Sequence, residues 1–318
     1  MTYIAYETDT FSDKGLTWMA RGETAHDVVR QAEDILADYS AQGYTLTLRQ
    51  LYYQFVARGL VAANTERSYK NLGNLITKAR DFGLISWRAI EDRGRSLMGW
   101  TFEEDDHECV SGLEHGLNID RWARMDDYVE VWVEKDALSN VVGRACRKFQ
   151  VPYMATKGYL SASEAWRAGQ RFQDRINDGK RCTLIHLGDH DPEGIDMTRD
   201  NQDRLRKYAE DWDIDVKRIA LNMDQIEQYS PPPNYAKASS ARFDGYVSRF
   251  GETCWELDAL EPSVIEALIT DTVRPLIDWN VWEECSEEQD QKRHYLKQVY
   301  DHWDDIKSFL DDINNPDI

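Results

Sequence analysis

Thr183-Leu-Ile-His-Leu-Gly-Asp-His-Asp-Pro-Glu-Gly-Ile-Asp196 is the stretch whose reading decides the fold. Its apolar run ends at Gly188, and Asp189, His190, Asp191 and Pro192 follow at once. That is the pattern of a buried strand stopping where a helix begins. Two carboxylates then stand at the carboxyl end of a strand, where open α/β sheets keep their ligands. Two Asp side chains one residue apart both face the crevice if the chain turns there. Hard oxygen ligands without Cys or His partners favour Mg²⁺ over Zn²⁺. The other reading is structural: Asp191 caps the next helix, with Pro192 at its first position.

A second acid has a matching address. Tyr128-Val-Glu-Val-Trp-Val-Glu-Lys-Asp136 also reads as a strand, and Glu134 closes it just before a helix-compatible segment at 137–149. Between the two acid positions the pattern predicts a strand at 151–156 and a helix at 161–178. After them it predicts a helix from Gly194 to about Trp212 and a strand at 215–221. This alternation makes the chain α/β with a mostly parallel sheet. Glu after one strand and Asp-x-Asp-Pro-x-Gly after a later one resembles the Toprim domain of topoisomerases, primases and some nucleases. The resemblance implies that Glu134, Asp189 and Asp191 hold Mg²⁺, or Mn²⁺ as a substitute, beside a phosphodiester. His190, between the two Asp residues, could ligate metal, assist proton transfer or face solvent; strand alternation favours solvent. Lys157 reads as a loop lysine, or as a phosphate contact at a strand end.

The chain has 318 residues, 42% of them hydrophobic, enough for two domains with cores. No apolar run approaches the roughly 18 residues of a membrane span, and the first twenty residues lack the order of a signal peptide. A cytoplasmic, nucleoid-associated protein of a bacterial or phage-infected cell is the expectation. Five Cys without a C-x-x-C pair fit a reducing compartment.

A formal net charge of −20 argues against indiscriminate nucleic-acid binding. The charge is unevenly spread. Residues 41–100 hold nine basic residues, Arg93 and Arg95 among them, against four acidic ones, a net of +5. Residues 281–318 hold four against eleven, a net of −7, and read as a solvated acidic helix face. The N-terminal part is therefore the one placed to meet DNA. Thr24 can cap a helix in which Val28, Val29, Ala32, Ile35 and Leu36 recur at helical spacing, and Gly43 ends it. A second helix follows Thr47 and stops at Gly59. A third covers about 66–81 and carries Arg67, Lys70, Lys78 and Arg80. With strand-like material at 84–90, the set suggests a winged helix whose third helix enters a major groove through those four cations.

The second helix, Leu48-Arg-Gln-Leu-Tyr-Tyr-Gln-Phe-Val-Ala-Arg58, separates its two tyrosines. Leu48, Leu51, Tyr52 and Phe55 lie at i, i+3, i+4 and i+7 and form one apolar face. Tyr53 is about 100° further round and shares its side with Arg49, one turn earlier. A guanidinium there can grip a non-bridging phosphate oxygen and favour the phenolate, making Tyr53 a candidate nucleophile. The alternative is a tyrosine pair packed at a domain interface.

Taken together and in this order, the two motifs resemble the A subunit of topoisomerase VI and the related meiotic double-strand-break transesterase. In length the chain is most similar to the short stand-alone mini-A proteins of phages and mobile elements. The resemblance covers residues about 25 to 260. It implies a winged-helix domain at 25–100, after an arm at 1–24, and a linker at 101–125. It further implies a Toprim domain at 126–260 and a helical acidic extension at 261–318. It implies a Mg²⁺-dependent transesterification in which Tyr53, assisted by Arg49 and Glu134, becomes joined to a DNA 5′ end. Further implications are a homodimer on double-stranded DNA, with the tyrosine of one protomer serving the metal site of the other, and an ATP-binding B-type subunit as an accessory partner. No Walker-type loop occurs in this chain, so an ATP-driven cycle would need that partner. Two alternatives stay open: a Toprim endonuclease that hydrolyses DNA without the tyrosine, and a DNA-binding module silent without a partner. The loop from Ser230 to Phe243, with Lys237 and Arg242, is either a plain connection or a segment that orders on DNA.

Overall fold

The computed structural model describes residues 11, 13–91, 105–236 and 238–314. Arg93, Arg95 and Lys237 lie outside the described residues.

Three helices open the chain. Thr24 caps α1 (Ala25–Ala41) in a reciprocal capping box with Asp27. Thr47, at the end of the short strand β1 (Leu46–Thr47), does the same for α2 (Leu48–Ala57) with Gln50. Thr65 caps α3 (Glu66–Asp81). Val28, Ala32 and Ile35 of α1, Leu51, Tyr52 and Phe55 of α2, and Leu72 and Ile76 of α3 close on one another as a core. The segment 84–90, expected to be strand-like, forms a 3-10 turn at Trp87–Ala89, and only Ile90 enters a strand, β2 (Ile90–Glu91), parallel to β1. Arg80 is the reason. Its guanidinium stacks on Trp87 at 4.6 Å and donates to the carbonyls of Trp87 at 2.7 Å and Ile90 at 2.9 Å. A side chain thus satisfies backbone acceptors that a ladder would otherwise take.

The sheet unit runs β3 (Asp127–Val133), α5 (Ser139–Lys148), β4 (Tyr153–Ala155), α6 (Ala162–Asn177), β5 (Arg181–Leu187), α7 (Pro192–Ala209) and β6 (Asp215–Ala220). Its strands lie in the order β4-β3-β5-β6, all parallel. Alternation assigns the faces. Val129, Val131, Val133, Ile185 and Leu187 pack with α5 and the later helix α10 (Pro262–Val273). Trp132, Cys182 and Leu184 point the other way, against α6 and α7. The result is a helix–sheet–helix sandwich. The chain leaves β3 towards β4 on one side and returns to β5 on the other, so the crevice between the carboxyl ends of β3 and β5 is the topological switch point.

The stretch expected to be a linker contains α4 (Asp106–Gly116), which packs on the long C-terminal helix α11 (Trp279–Asp301); His107 stacks on Tyr300 at 4.1 Å. Between β6 and α10 come α8 (Met223–Tyr229), β7 (Asn234–Tyr235), α9 (Phe243–Phe250) and β8 (Thr253–Cys254), with β7 and β8 antiparallel. The chain's last described helix is α12 (Trp303–Asn314). No described helix is long and apolar enough to cross a membrane.

Polar contacts join the N-terminal helices to the sheet unit. Tyr44 donates to Glu266 at 2.7 Å and Gln54 to Glu261 at 3.0 Å; Tyr39 also bonds Glu261. Arg144 of α5 donates to the Gln42 and Gly43 carbonyls just after α1.

Candidate active site

The two acid-bearing strand ends meet. Asp191 caps α7, accepting from the Gly194 N–H at 2.6 Å, with Pro192 at the first helical position. The capping reading is therefore true of this residue, and one carboxylate oxygen, Oδ2, is left over. Gly194 is required by contact: a Cβ there would sit 2.2 Å from the Asp189 carbonyl oxygen. That approach folds the loop back so that the Asp189 N–H donates to Glu134 Oε2 at 2.8 Å. Arg218 of β6 braces the same loop, donating to the carbonyls of Gly188, Asp189 and Gly194 at 2.7–3.0 Å.

Burial pushes the carboxyl groups of Glu134, Asp189 and Asp191 above their ordinary range. Neighbouring carboxylates add to it, Asp191 acting on Glu134, and Glu134 on Asp189. Lys135 and Arg218 oppose the rise only in part. Hard oxygen donors in that state suit a hard divalent ion, and Glu134 Oε1 and Asp191 Oδ2 accept no hydrogen bond from a described residue. Asp189 is more committed: Oδ1 accepts from the Leu257 N–H at 2.7 Å, and Oδ2 lies 3.1 Å from Lys135 Nζ. Among the described residues no group of three or more His, Cys, Asp or Glu side chains is gathered as a metal-holding set.

His190 does not face solvent. It is 2% exposed, hydrogen-bonded through Nδ1 to the Tyr246 hydroxyl at 2.9 Å and boxed by Phe250 and Trp255. Backbone bonds between His190 and Trp255 in both directions turn the residue inward. Burial drives its pKa down to about 4, so the imidazole is neutral and structural. Lys157 pairs with Asp136 at 3.1 Å.

Tyr53 opens onto the cavity that Asp191 lines. Arg49, Tyr53, Asn64, Lys70, Asp191, Asn234, Tyr235 and Glu256 surround a space of about 510 Å³ between α2, α3, the start of α7 and β7. The tyrosine itself is 3% exposed, at the junction of the two units, so the domain-interface reading also applies to it. Arg49 lies 5.9 Å from the Tyr53 ring centre, as helical spacing predicts. Its guanidinium is occupied, pairing with Glu256 and reaching Asp258 at 3.3 Å. Burial, then the charges of Asp258 and Glu256, raise the Tyr53 pKa, and Arg49 and Lys135 only partly oppose them. Arg49 thus does favour the phenolate, as its position a turn away implies, but burial and the two acids outweigh it in this conformation.

Lys135 ties the two halves of the site together. Its ammonium lies 2.6 Å from Glu256, 2.7 Å from Asp258 and 3.1 Å from Asp189. Sequence reasoning missed Lys135, Glu256, Asp258 and Arg218. A signal was available for two of them: in Trp255-Glu-Leu-Asp-Ala-Leu260 the acids occupy the alternate positions of an otherwise apolar run.

Of the four cations expected to meet DNA, Arg67, Lys70 and Lys78 fall within roughly 80° of one another around α3, at about 100° per residue. Arg67 is exposed; Lys70 pairs with Glu66 at 2.7 Å at the cavity edge; Lys78 lies over the rings of Phe11 and Phe82. Arg80 is on the other side, committed to the Trp87 and Ile90 carbonyls. The loop before β7 is docked at the site rather than apart from it: Asn64 donates to Asn234 at 2.9 Å, and Tyr235 stands 86% exposed at the cavity rim. Comparison with models of known families and with curated proteins finds no match to this chain.

Proposed function

We propose that the protein is a metal-dependent DNA transesterase with a winged-helix domain and a Toprim domain, resembling the topoisomerase VI A subunit. The observation that carries this reading is the shared cavity: Tyr53, with Arg49 one helical turn away, opens onto the same space as Asp191 at the sheet's switch point. In the proposed step the Tyr53 oxygen forms a bond to a DNA phosphorus as the bond to the 3′ oxygen breaks. The tyrosine proton passes to a nearby carboxylate or water, and the leaving 3′ oxygen takes up a proton. Glu134, Asp189 and Asp191 would hold Mg²⁺, which when bound supplies charge stabilisation at the phosphate. Lys70 and Arg67 would bind flanking phosphates. Arg49 would take a phosphate oxygen in place of Glu256.

A second reading, a DNA-binding module silent without a partner, is favoured by one observation: Tyr53 is buried and Arg49 is held by Glu256 and Asp258. In that reading a partner would have to part the two units before a phosphodiester reaches Tyr53. The discriminating experiment incubates supercoiled plasmid with the protein and Mg²⁺ or Mn²⁺, stops with detergent and compares gels with and without protease. The transesterase predicts breaks that enter the gel only after protease and vanish in Tyr53→Phe. Protease-independent breaks that persist in Tyr53→Phe and vanish in Asp189→Asn would instead mean hydrolysis. Intact plasmid under every condition, with DNA still bound, would favour the silent module.

A further inference from the structure

At the other end of the sheet the charge pattern reverses. A cavity of about 880 Å³ opens beside the amino ends of β3 and β4, lined by Arg121, Arg147, Lys148, Arg175, Lys180 and Arg293 against one carboxylate, Asp120. In a chain of net charge −20, six cations around one concavity need an explanation. Lys148 is neutralised by Glu266, and Arg175 reaches Asp178 only at 3.8 Å. For Arg121, Arg147, Lys180 and Arg293 no carboxylate of a described residue lies within ion-pair distance.

Three of these are held in place, and Arg147 stands exposed beside them. Lys180 Nζ is fixed by the carbonyls of Trp122 at 2.8 Å, Ala123 at 3.2 Å and Met125 at 2.6 Å. Arg293 donates to the Leu117 carbonyl at 2.9 Å and to Asn118 at 3.2 Å. Arg121 is 9% exposed, stacked on Trp282 at 4.6 Å, and its Nε is buried with no hydrogen-bond partner. Carbonyl contacts orient a cation without cancelling its charge, so the cavity keeps a fixed positive field that folding alone does not reward.

We propose that this cavity binds a small molecule bearing a chain of phosphates, of the size of a nucleotide. Guanidinium forks match phosphate oxygens, and the volume lies within the roughly 300–1,000 Å³ of small-molecule sites. Ile119, Val151 and Pro152 offer an apolar wall for a portion that is not phosphate. A duplex is disfavoured, because the site is concave and the surrounding protein acidic. The site is independent of the proposed cleavage chemistry and lies on the opposite end of the strands from Asp189.

The test is calorimetric titration of the full chain, in EDTA, with inorganic tripolyphosphate, ATP and AMP. Saturable binding of the first two is expected, with AMP at least tenfold weaker. Arg147 is exposed and makes no side-chain hydrogen bond or ion pair with a described residue, so Arg147→Glu should cost at least tenfold in affinity, and Arg175→Gln should also weaken binding, both with unchanged circular dichroism. Arg30→Gln, on α1 and away from the cavity, should leave the affinity as it was. ATP binding tighter than tripolyphosphate identifies a nucleotide; equal affinities identify the phosphate chain alone. The proposal is overturned if neither polyphosphate binds saturably, if AMP binds as tightly, or if Arg147→Glu and Arg175→Gln both leave the affinity unmoved. It is equally overturned if the two variants lose duplex binding in a protein that ignores tripolyphosphate.

Discussion

Gly194 sets the geometry of the acid loop by having no side chain. With the Asp189 carbonyl oxygen 2.2 Å from where a Cβ would stand, Gly194→Ala must push the loop away from α7. The displaced atoms are backbone, which cannot rotate aside, so we expect a loss of roughly 1–3 kcal/mol in urea unfolding. We also expect the Asp189–Glu134 contact to open and any cleavage activity to fall with it. Wild-type stability in Gly194→Ala would show that the loop has another way to turn. His190, by contrast, is silent at physiological pH, because burial keeps it neutral down to about pH 4. His190→Phe should therefore leave the pH profile of activity unchanged, at the cost of the Tyr246 bond measured by thermal melting.

Among the elements, α2 and the turn after β8 act as a pair. The helix presents Arg49 and Tyr53; the turn presents Glu256 and Asp258, with Lys135 between the acids. Burial alone would raise the Glu256 pKa, but Lys135 and Arg49 hold it down to about 2 against an ordinary 4.5. A depressed carboxyl pKa contributes stability that is fully present above about pH 4.5 and lost as pH falls towards 2. The shift corresponds to on the order of 3 kcal/mol. Glu256→Gln should therefore be less stable than wild type at pH 6 by about that amount, and the gap should close as pH falls through this window. A gap that stays constant with pH would mean Glu256 acts by packing, not charge. The same substitution should free Arg49 and ease separation of the two units.

In the whole molecule, the question is whether Tyr53 serves the acids of its own chain. Here both line one cavity within a single chain. The proposed family resemblance carries a homodimer in which the tyrosine crosses to the partner. Mixing Tyr53→Phe with Asp191→Asn protein distinguishes these. A crossed arrangement leaves one complete site in each mixed dimer and should restore single-strand nicking. An arrangement within one chain should restore none. The acidic C-terminal helices do not interfere with either outcome, since α11 is packed on α4, away from that cavity.

The sequence by itself determined the parallel α/β unit and the addresses of Glu134, Asp189 and Asp191, because alternation, caps and strand ends are local and periodic. It also determined the split between Tyr52 and Tyr53, since helical spacing fixes which side of α2 each occupies. Only the tertiary structure decided what those groups meet. Glu256 and Asp258 converge on Arg49 and Lys135 across more than a hundred residues of chain, through contacts that no local pattern encodes. The same holds for the inward turn of His190, set by its pairing with Trp255, and for the basic cavity, whose six cations come from five separate places in the sequence. Charge counted along a chain gives a sum; the field at a site depends on which residues folding brings together.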